Sequence, residues 1–194
     1  MVKKRFKAVE LNCLDEATIR EIRKWRNQDF VRRNMFTQDE ISEENHMRWV
    51  ENIRKDVNRH VFVFYLDDKP FGVENYTYDP EENHVEIGNY LIDEEFQALG
   101  YGVIMTYFGL DIMYNVLGYE NLYAEIIEYN KNAGSVSRFF GEQEEYKDTT
   151  VEINGQQYRV NIVRGTKQDW NDFEKQKLGK LVLKFAYDDY EVIK

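Results

Sequence analysis

Cysteine is almost missing from this chain. Cys13 stands alone, which excludes an internal disulfide and makes a reducing, cytoplasmic setting the expectation. Proline is nearly as rare: Pro70 and Pro80 are the two present, so no rigid proline-rich linker divides the chain. No apolar run is long enough to span a membrane, and M-V-K-K-R-F-K-A-V-E carries charge without the apolar stretch of a signal peptide; neither feature is expected. Positive charge is outnumbered, with 26 Lys and Arg against 36 Asp and Glu and a formal net charge of −10. A general nucleic-acid binder needs a basic surface, so that class is set aside. The three histidines and one cysteine show no metal-ligand spacing, and no metal is expected.

What is present is core-forming material. Apolar residues make up 42% and aromatics 15% of 194 residues, enough for one packed domain. Residues 5–11 read as a first strand. Residues 15–28 carry Ile19, Ile22 and Trp25 at helical spacing. Ser42 then heads a second helix, with Glu43 and Glu44 in the first turn where the helix dipole favours acids, and with Met47, Val50 and Ile53 as its apolar stripe. Trp25 and Trp49 read as core residues.

The period then changes from helix to strand. Strands 61–66, 71–78 and 84–92 are separated by polar turns and read as an antiparallel meander. A helix over about 102–117 ends at Gly118. A strand over 121–127 and a short helix over roughly 132–140 follow. Asn154-Gly155 between V-E-I and Q-Q-Y-R-V-N-I-V is a hairpin signal. The fold class is α+β around one largely antiparallel sheet. Residues 1–165 read as the domain and 166–194 as an extension packed on it, bearing Trp170, Phe173 and L-V-L-K-F-A-Y.

Between the meander and the long helix stands Q-A-L-G-Y-G, Gln97 to Gly102. The first amides of a helix lack intrahelical partners and sit at the positive end of its dipole, so they attract anions. Glycine lets phosphate oxygens approach the backbone. Three glycines and a parallel βαβ setting would be needed for a dinucleotide fingerprint, and no G-K-[ST] follows for a Walker loop.

The stretch H-V-E-I-G-N-Y-L-I-D-E-E-F-Q-A-L-G-Y-G resembles the acetyl-coenzyme A motif of the GNAT N-acetyltransferases, Q/R-x-x-G-x-G/A. Y-A-E-I-I-E-Y-N-K-N-A-G-S-V-S-R-F-F-G is similar to the next motif of that family, with Asn130, Ala133 and Gly141 matching; Glu142 departs from the usual Phe. I-R-K-W-R-N-Q-D-F-V-R-R-N-M-F with S-E-E-N-H is similar to the branch acting on the 4-amino group of nucleotide-linked dideoxy sugars. V-E-I-N-G-Q-Q-Y-R is similar to the ribosomal-protein and spermidine acetyltransferases. The resemblance covers about residues 5–164.

It implies a GNAT fold with helices on both sheet faces and with the fourth and fifth strands splayed around acetyl-CoA. It implies that backbone groups near Asn89, Tyr90, Leu91 and Ile92 pair with the pantetheine arm. The amides of Gln97, Ala98, Leu99, Gly100, Tyr101, Gly102 and Val103 would hold the pyrophosphate, and Asn130 would touch the coenzyme arm. The amine would attack the thioester directly. Glu86 is the candidate base, set against a solvated strand residue; His84, two residues earlier on the same face, is a second candidate on the acceptor side. Ser137 stands where the family often has a tyrosine that protonates the leaving thiolate. Serine is a poor acid, so a water or Tyr129 is the alternative donor.

On the acceptor side, Arg20, Arg23, Lys24, Arg26, Arg32 and Arg33 make a basic segment. Arg32, Met35 and Phe36 are the residues implied to meet the acceptor, against a solvated helix face and a core cap. His46 reads as a tie between the second helix and the loop before it, and Cys13 as no nucleophile. The first reading is transfer to an amino sugar on a nucleotide; the second is transfer to a polyamine or a protein N-terminus; the third is a coenzyme-binding protein without catalysis. A homodimer is compatible with each. An arginine-lined acceptor pocket would favour the first reading and a carboxylate-lined one the second.

Overall fold

The computed structural model describes residues 4–140, 143–175 and 187–194. Gly141, Glu142 and most of L-V-L-K-F-A-Y lie outside the described residues. Among the described residues, eight strands form one sheet in the order β6-β7-β5-β4-β3-β2-β1-β8. β1 (Lys4–Glu10) leads through a short turn of 3-10 helix to α1 (Glu16–Arg26), capped by Asp15, and on to α2 (Asp29–Arg32) and α3 (Glu43–Lys55). The Ser42 hydroxyl accepts from the Asn45 amide at 3.2 Å, the cap read from the sequence.

The meander follows as β2 (Arg59–Leu66), β3 (Lys69–Asp79) and β4 (His84–Leu91), all antiparallel. Asp67 and Asp68 both adopt positive φ, so the first turn is two residues long and β3 starts earlier than expected. After α4 (Glu94–Ala98), the long helix is α5 (Tyr101–Asp111), continued by a widened π turn over Ile112–Val116. The Leu117 amide reaches back to the Ile112 carbonyl at 2.8 Å, and Gly118 ends the segment at φ +81°. β5 (Asn121–Ile127), α6 (Lys131–Phe139) and the hairpin β6 (Gln143–Ile153) and β7 (Gln156–Thr166) complete the expected order. Asn154 at φ 52° and Gly155 at φ 77° make the hairpin turn.

Helices cover both faces. On one, Ile19 and Ile22 of α1 and Val50 and Ile53 of α3 pack on Val61, Val63 and Val73. Trp25 and Trp49 are partly buried against this cluster. On the other face, Met105, Phe108 and Leu110 of α5 pack on Phe62, Phe64, Phe71 and Tyr76. α5 is apolar around its whole circumference because it is buried between the sheet and the elements outside it.

The region after residue 165 is more integral than the word extension implies. α7 (Lys167–Lys175) follows β7 directly and buries Trp170 to 3% exposure against Tyr107, Tyr114 and Phe140. β8 (Tyr187–Ile193) lies parallel to β1 and closes that edge of the sheet. The helices α2 and α4 were too short for periodicity to show, and β8, as long as β1 and β5, was hidden by Y-D-D-Y-E-V-I, which has no sustained apolar alternation.

Candidate functional site

Strands β4 and β5 run parallel and pair at two positions, Val85↔Leu122 and Glu86↔Tyr123. Beyond them the strands part: Ile87 to Leu91 stay bonded to β3, and Ala124 to Ile127 to β7. Two backbone edges therefore face an opening, and an extended chain bearing amides can add there as a strand. A cleft of about 490 Å³ runs through this opening, bounded by β4, β5, α5, α6 and the segment after α1.

At one end of the cleft lies the start of α5. Gly100 caps it at φ +77°, ψ 14°, a left-handed conformation that costs a side chain about 1–2 kcal/mol. A Cβ on Gly100 would meet nothing within 4 Å, and one on Gly102 would meet Val136 Cγ2 at 3.9 Å. The glycine at 100 thus serves the backbone turn, and the space above both positions is open to a ligand. Asn130 caps α6 by accepting from the Ala133 amide at 3.2 Å, which aims the start of that helix at the same cleft. The Asn132 amide group reaches Gln97 at 3.5 Å across the gap. Such a site fits a pyrophosphate and an amide-bearing arm: dipole ends, glycine openings and a free strand edge are the parts it needs.

Twelve of the residues singled out in the sequence line this cleft: Met35, Phe36, Glu86, Asn89, Tyr90, Leu91, Gln97, Gly100, Gly102, Val103, Asn130 and Ser137. Ser137 is 8% exposed on the inner side of α6. Six are not brought to it. The Ile92 carbonyl accepts from Gln28 Nε2 at 2.7 Å. Ala98 and Leu99 lie at the end of α4 outside the lining, and the Tyr101 ring is buried among Phe71 and Phe96. His84 turns away: its ring stacks on Tyr123 at 4.5 Å and lines a separate hollow of about 240 Å³ with Tyr78 and Tyr119. Arg32 donates to the Gln38 carbonyl at 3.1 Å and to Asp29 at 2.5 Å, so it braces the loop after α2.

The other cations of that basic segment are similarly engaged. Arg20 pairs with Glu43, and Lys24 with Glu21 at 2.5 Å. Arg23 and Arg26 donate to the Ile41 and Thr37 carbonyls at 3.4 and 2.9 Å, and Arg33 pairs with Glu94 at 2.8 Å. Tyr129, the alternative proton donor, gives its hydroxyl hydrogen to the Arg33 carbonyl at 2.5 Å and accepts from Gln38 at 3.0 Å. It too holds the loop. His46 Nε2 donates to the Ile19 carbonyl, 2.8 Å away, tying α3 to α1; burial holds its imidazole below the ordinary 6.5.

Two cleft residues were missed in the sequence. Glu74 of β3 is 1% exposed, and Gly109 of α5 must be glycine for it, since a Cβ there would stand 2.2 Å from its carboxylate. Glu125 of β5 shares a face with Tyr123 and Glu86, and its Oε1 accepts from the Tyr123 hydroxyl at 2.5 Å and from Lys147 at 2.6 Å. Burial, then the bond to Glu125, pushes the Tyr123 phenol up to about 12. Burial opposes the Glu125 carboxylate, but its Lys147 and Tyr123 donors outweigh this and hold it below the ordinary value. A charge at an inward position of a strand was the signal available for both. The charged lining is therefore Glu74, Glu86 and Glu125, and no Lys, Arg or His lines the cleft among the described residues. Among the described residues no group of three or more His, Cys, Asp or Glu is arranged to hold a metal, and no helix is long and apolar enough to cross a membrane.

A sheet opened between its fourth and fifth strands, over a helix begun by glycine, is a fold for coenzyme-dependent acyl transfer. The chain belongs to the acetyltransferase (GNAT) family, whose model matches residues 19–141. It is an N-acetyltransferase whose acetyl donor is acetyl-coenzyme A. No curated protein matches the chain's sequence. Among solved structures, spermidine N-acetyltransferase from Vibrio cholerae, in complex with CoA and spermine, superposes with a TM-score of 0.75 at 17% identity, covering 87% of this chain and 98% of its own. The Campylobacter jejuni N-acetyltransferase PseH, in complex with acetyl coenzyme A, gives 0.62 at 16% identity, over 84% of this chain and 99% of its own. RimL, a ribosomal L7/L12 alpha-N-protein acetyltransferase in complex with CoA, gives 0.66 at 15% identity, over 86% and 95%. These likenesses carry the fold.

Proposed function

We propose that this acetyltransferase acts on a small cationic amine of the polyamine kind, with Glu86 as the base. The observation that carries this reading is the charge of the cleft: three carboxylates line it, and the nearby arginines are turned to carbonyls and surface acids. A nucleotide diphosphate brings negative charge that this lining repels, whereas an ammonium gains from it. The fold does not select the acceptor, because one fold carries many substrates.

When bound, acetyl-coenzyme A supplies an activated acyl carbonyl. The unpaired edge of β4 from Ile87 to Leu91 aligns the coenzyme arm, and the first turn of α5 holds its pyrophosphate. An alkyl ammonium has a pKa near that of lysine, about 10.4, so it arrives protonated. Glu86, at the mouth of the splay, takes that proton directly or through a water. The freed nitrogen attacks the carbonyl carbon, the C–N bond forms, and backbone N–H groups of the β4 edge meet the developing oxyanion. The C–S bond then breaks, the nitrogen gives its second proton to a water held at the Ser137 hydroxyl, and that water passes a proton on to the thiolate, leaving a neutral amide and a thiol.

Transfer to a nucleotide-linked amino sugar remains the second reading, favoured by Met35 and Phe36, whose apolar side chains line the cleft where a deoxysugar methyl would lie. A thiol-release assay with spermidine, short diamines, nucleotide-linked 4-amino sugars and short peptides separates the readings. Turnover on the polyamines is expected. Turnover confined to an amino sugar or a peptide overturns the proposal. Coenzyme binding with no turnover on any of these amines also overturns the proposal and points to an acceptor of another class.

A further inference from the structure

Glu125 is oriented from one side and loosely occupied from the other. Its fixed partner is the Tyr123 hydroxyl at 2.5 Å. The Tyr123 ring is itself held, stacked on His84 at 4.5 Å with the Arg164 guanidinium 5.2 Å from its centroid. The loose partner is Lys147, whose ammonium reaches Glu125 at 2.6 Å. Lys147 lies on β6 where the register against β7 shifts between Tyr146 and Thr150, so it has no register partner on β7. The Lys147 side chain is 40% exposed and that of Glu125 20%. The cation of the pair is open to water, where ion pairs contribute little, so another cation can replace the lysine at small cost.

The placement is directional. Glu86 and Tyr123 are register partners at the last pairing before the splay, and Glu125 lies two residues further along β5 on the same face. At about 3.3 Å per residue and about 4.8 Å between strands, the two carboxylates start from backbone positions about 8 Å apart. One stands at the reacting nitrogen and the other deeper along the acceptor's path, already carrying an alkyl ammonium from this chain's own lysine.

Building on the proposed cationic acceptor, we propose that Glu125 reads the second positive charge of a diamine and that Lys147 keeps that place in the free protein. When the diamine binds, its distal ammonium takes the Glu125 carboxylate and Lys147 moves into solvent. A monoamine of the same length leaves the Lys147–Glu125 pair intact and gains nothing from it. Glu125 is thus a specificity residue and Lys147 an internal stand-in for the acceptor.

The test compares kcat/KM for putrescine and butylamine in the wild type, Glu125→Gln and Lys147→Met, with putrescine binding to the coenzyme A complex measured by calorimetry. The expected wild-type preference for putrescine is at least tenfold. Glu125→Gln should collapse the putrescine-to-butylamine ratio to near one, and Lys147→Met should raise it and tighten putrescine binding severalfold. Lys147 is at the surface, so its variant reports even where the Glu125 variant folds poorly. Equal wild-type use of the two amines overturns this inference while the cationic acceptor stands. An unchanged ratio in Glu125→Gln, or weaker putrescine binding in Lys147→Met, also overturns it. Turnover of neither amine overturns the cationic acceptor as well.

Discussion

The two ends of the cleft are built by different means. The coenzyme end is mostly backbone: an open edge of β4, a glycine turn at φ +77° and two helix starts, all within residues 84–137. The proposed acceptor end is mostly side chains from distant segments, with Met35 and Phe36 after α2, Glu86 on β4 and Glu125 on β5. Backbone devices hold any ligand that carries the shared coenzyme chemistry. Side chains drawn from three places can be exchanged one at a time, which is how one fold takes many acceptors.

The comparison breaks most sharply at Gly100. Gly100→Glu should abolish thiol release on every acceptor while circular dichroism reports a folded protein, because a side chain strains the turn and a carboxylate enters the phosphate position. Activity above a tenth of wild type would mean that the coenzyme end does not depend on this turn. Glu86→Gln comes next: kcat should fall by about 10²–10⁴ with the KM for acetyl-coenzyme A unchanged. An unaltered kcat would return Glu86 to the status of a solvated strand residue.

A smaller effect concerns the acceptor end through His46. Its folded pKa lies below the ordinary 6.5, so the unfolded chain binds the proton more readily. The stabilisation is complete above pH 6.5 and is lost as the pH falls below it, by up to about 1.4 kcal/mol per unit. Hydrogen exchange at pH 7.5 and 5.5 should show α1 and α3 loosening while α5 holds its protection; equal loosening would refute the assignment. The smallest change is expected for Tyr129→Phe. Its hydroxyl braces the Arg33 carbonyl, so stability should drop by about 1 kcal/mol and kcat stay within about twofold. A large loss of kcat would restore Tyr129 as the proton donor.

Much of the coenzyme end was legible because it is contiguous. Q-A-L-G-Y-G sits at a strand-to-helix boundary, and local chemistry makes an anion site there. The meander, the Ser42 cap and the Asn154-Gly155 hairpin were readable for the same reason: period and turn residues act over a few positions. The acceptor end was not, and His84 and Tyr129 show why. Each has the chemistry for a site role, but their partners are the Tyr123 ring and the Arg33 carbonyl, neither set by neighbours in sequence.

By itself, then, the chain's sequence determined the element order, the glycine turn and the family, since these rest on local backbone preferences and contiguous motifs. The tertiary structure decided that β8 closes the sheet beside β1, that Trp170 belongs to the core, and that three glutamates rather than arginines face the cleft. Those outcomes depend on which strands become neighbours and which face each side chain takes, and long-range packing sets both.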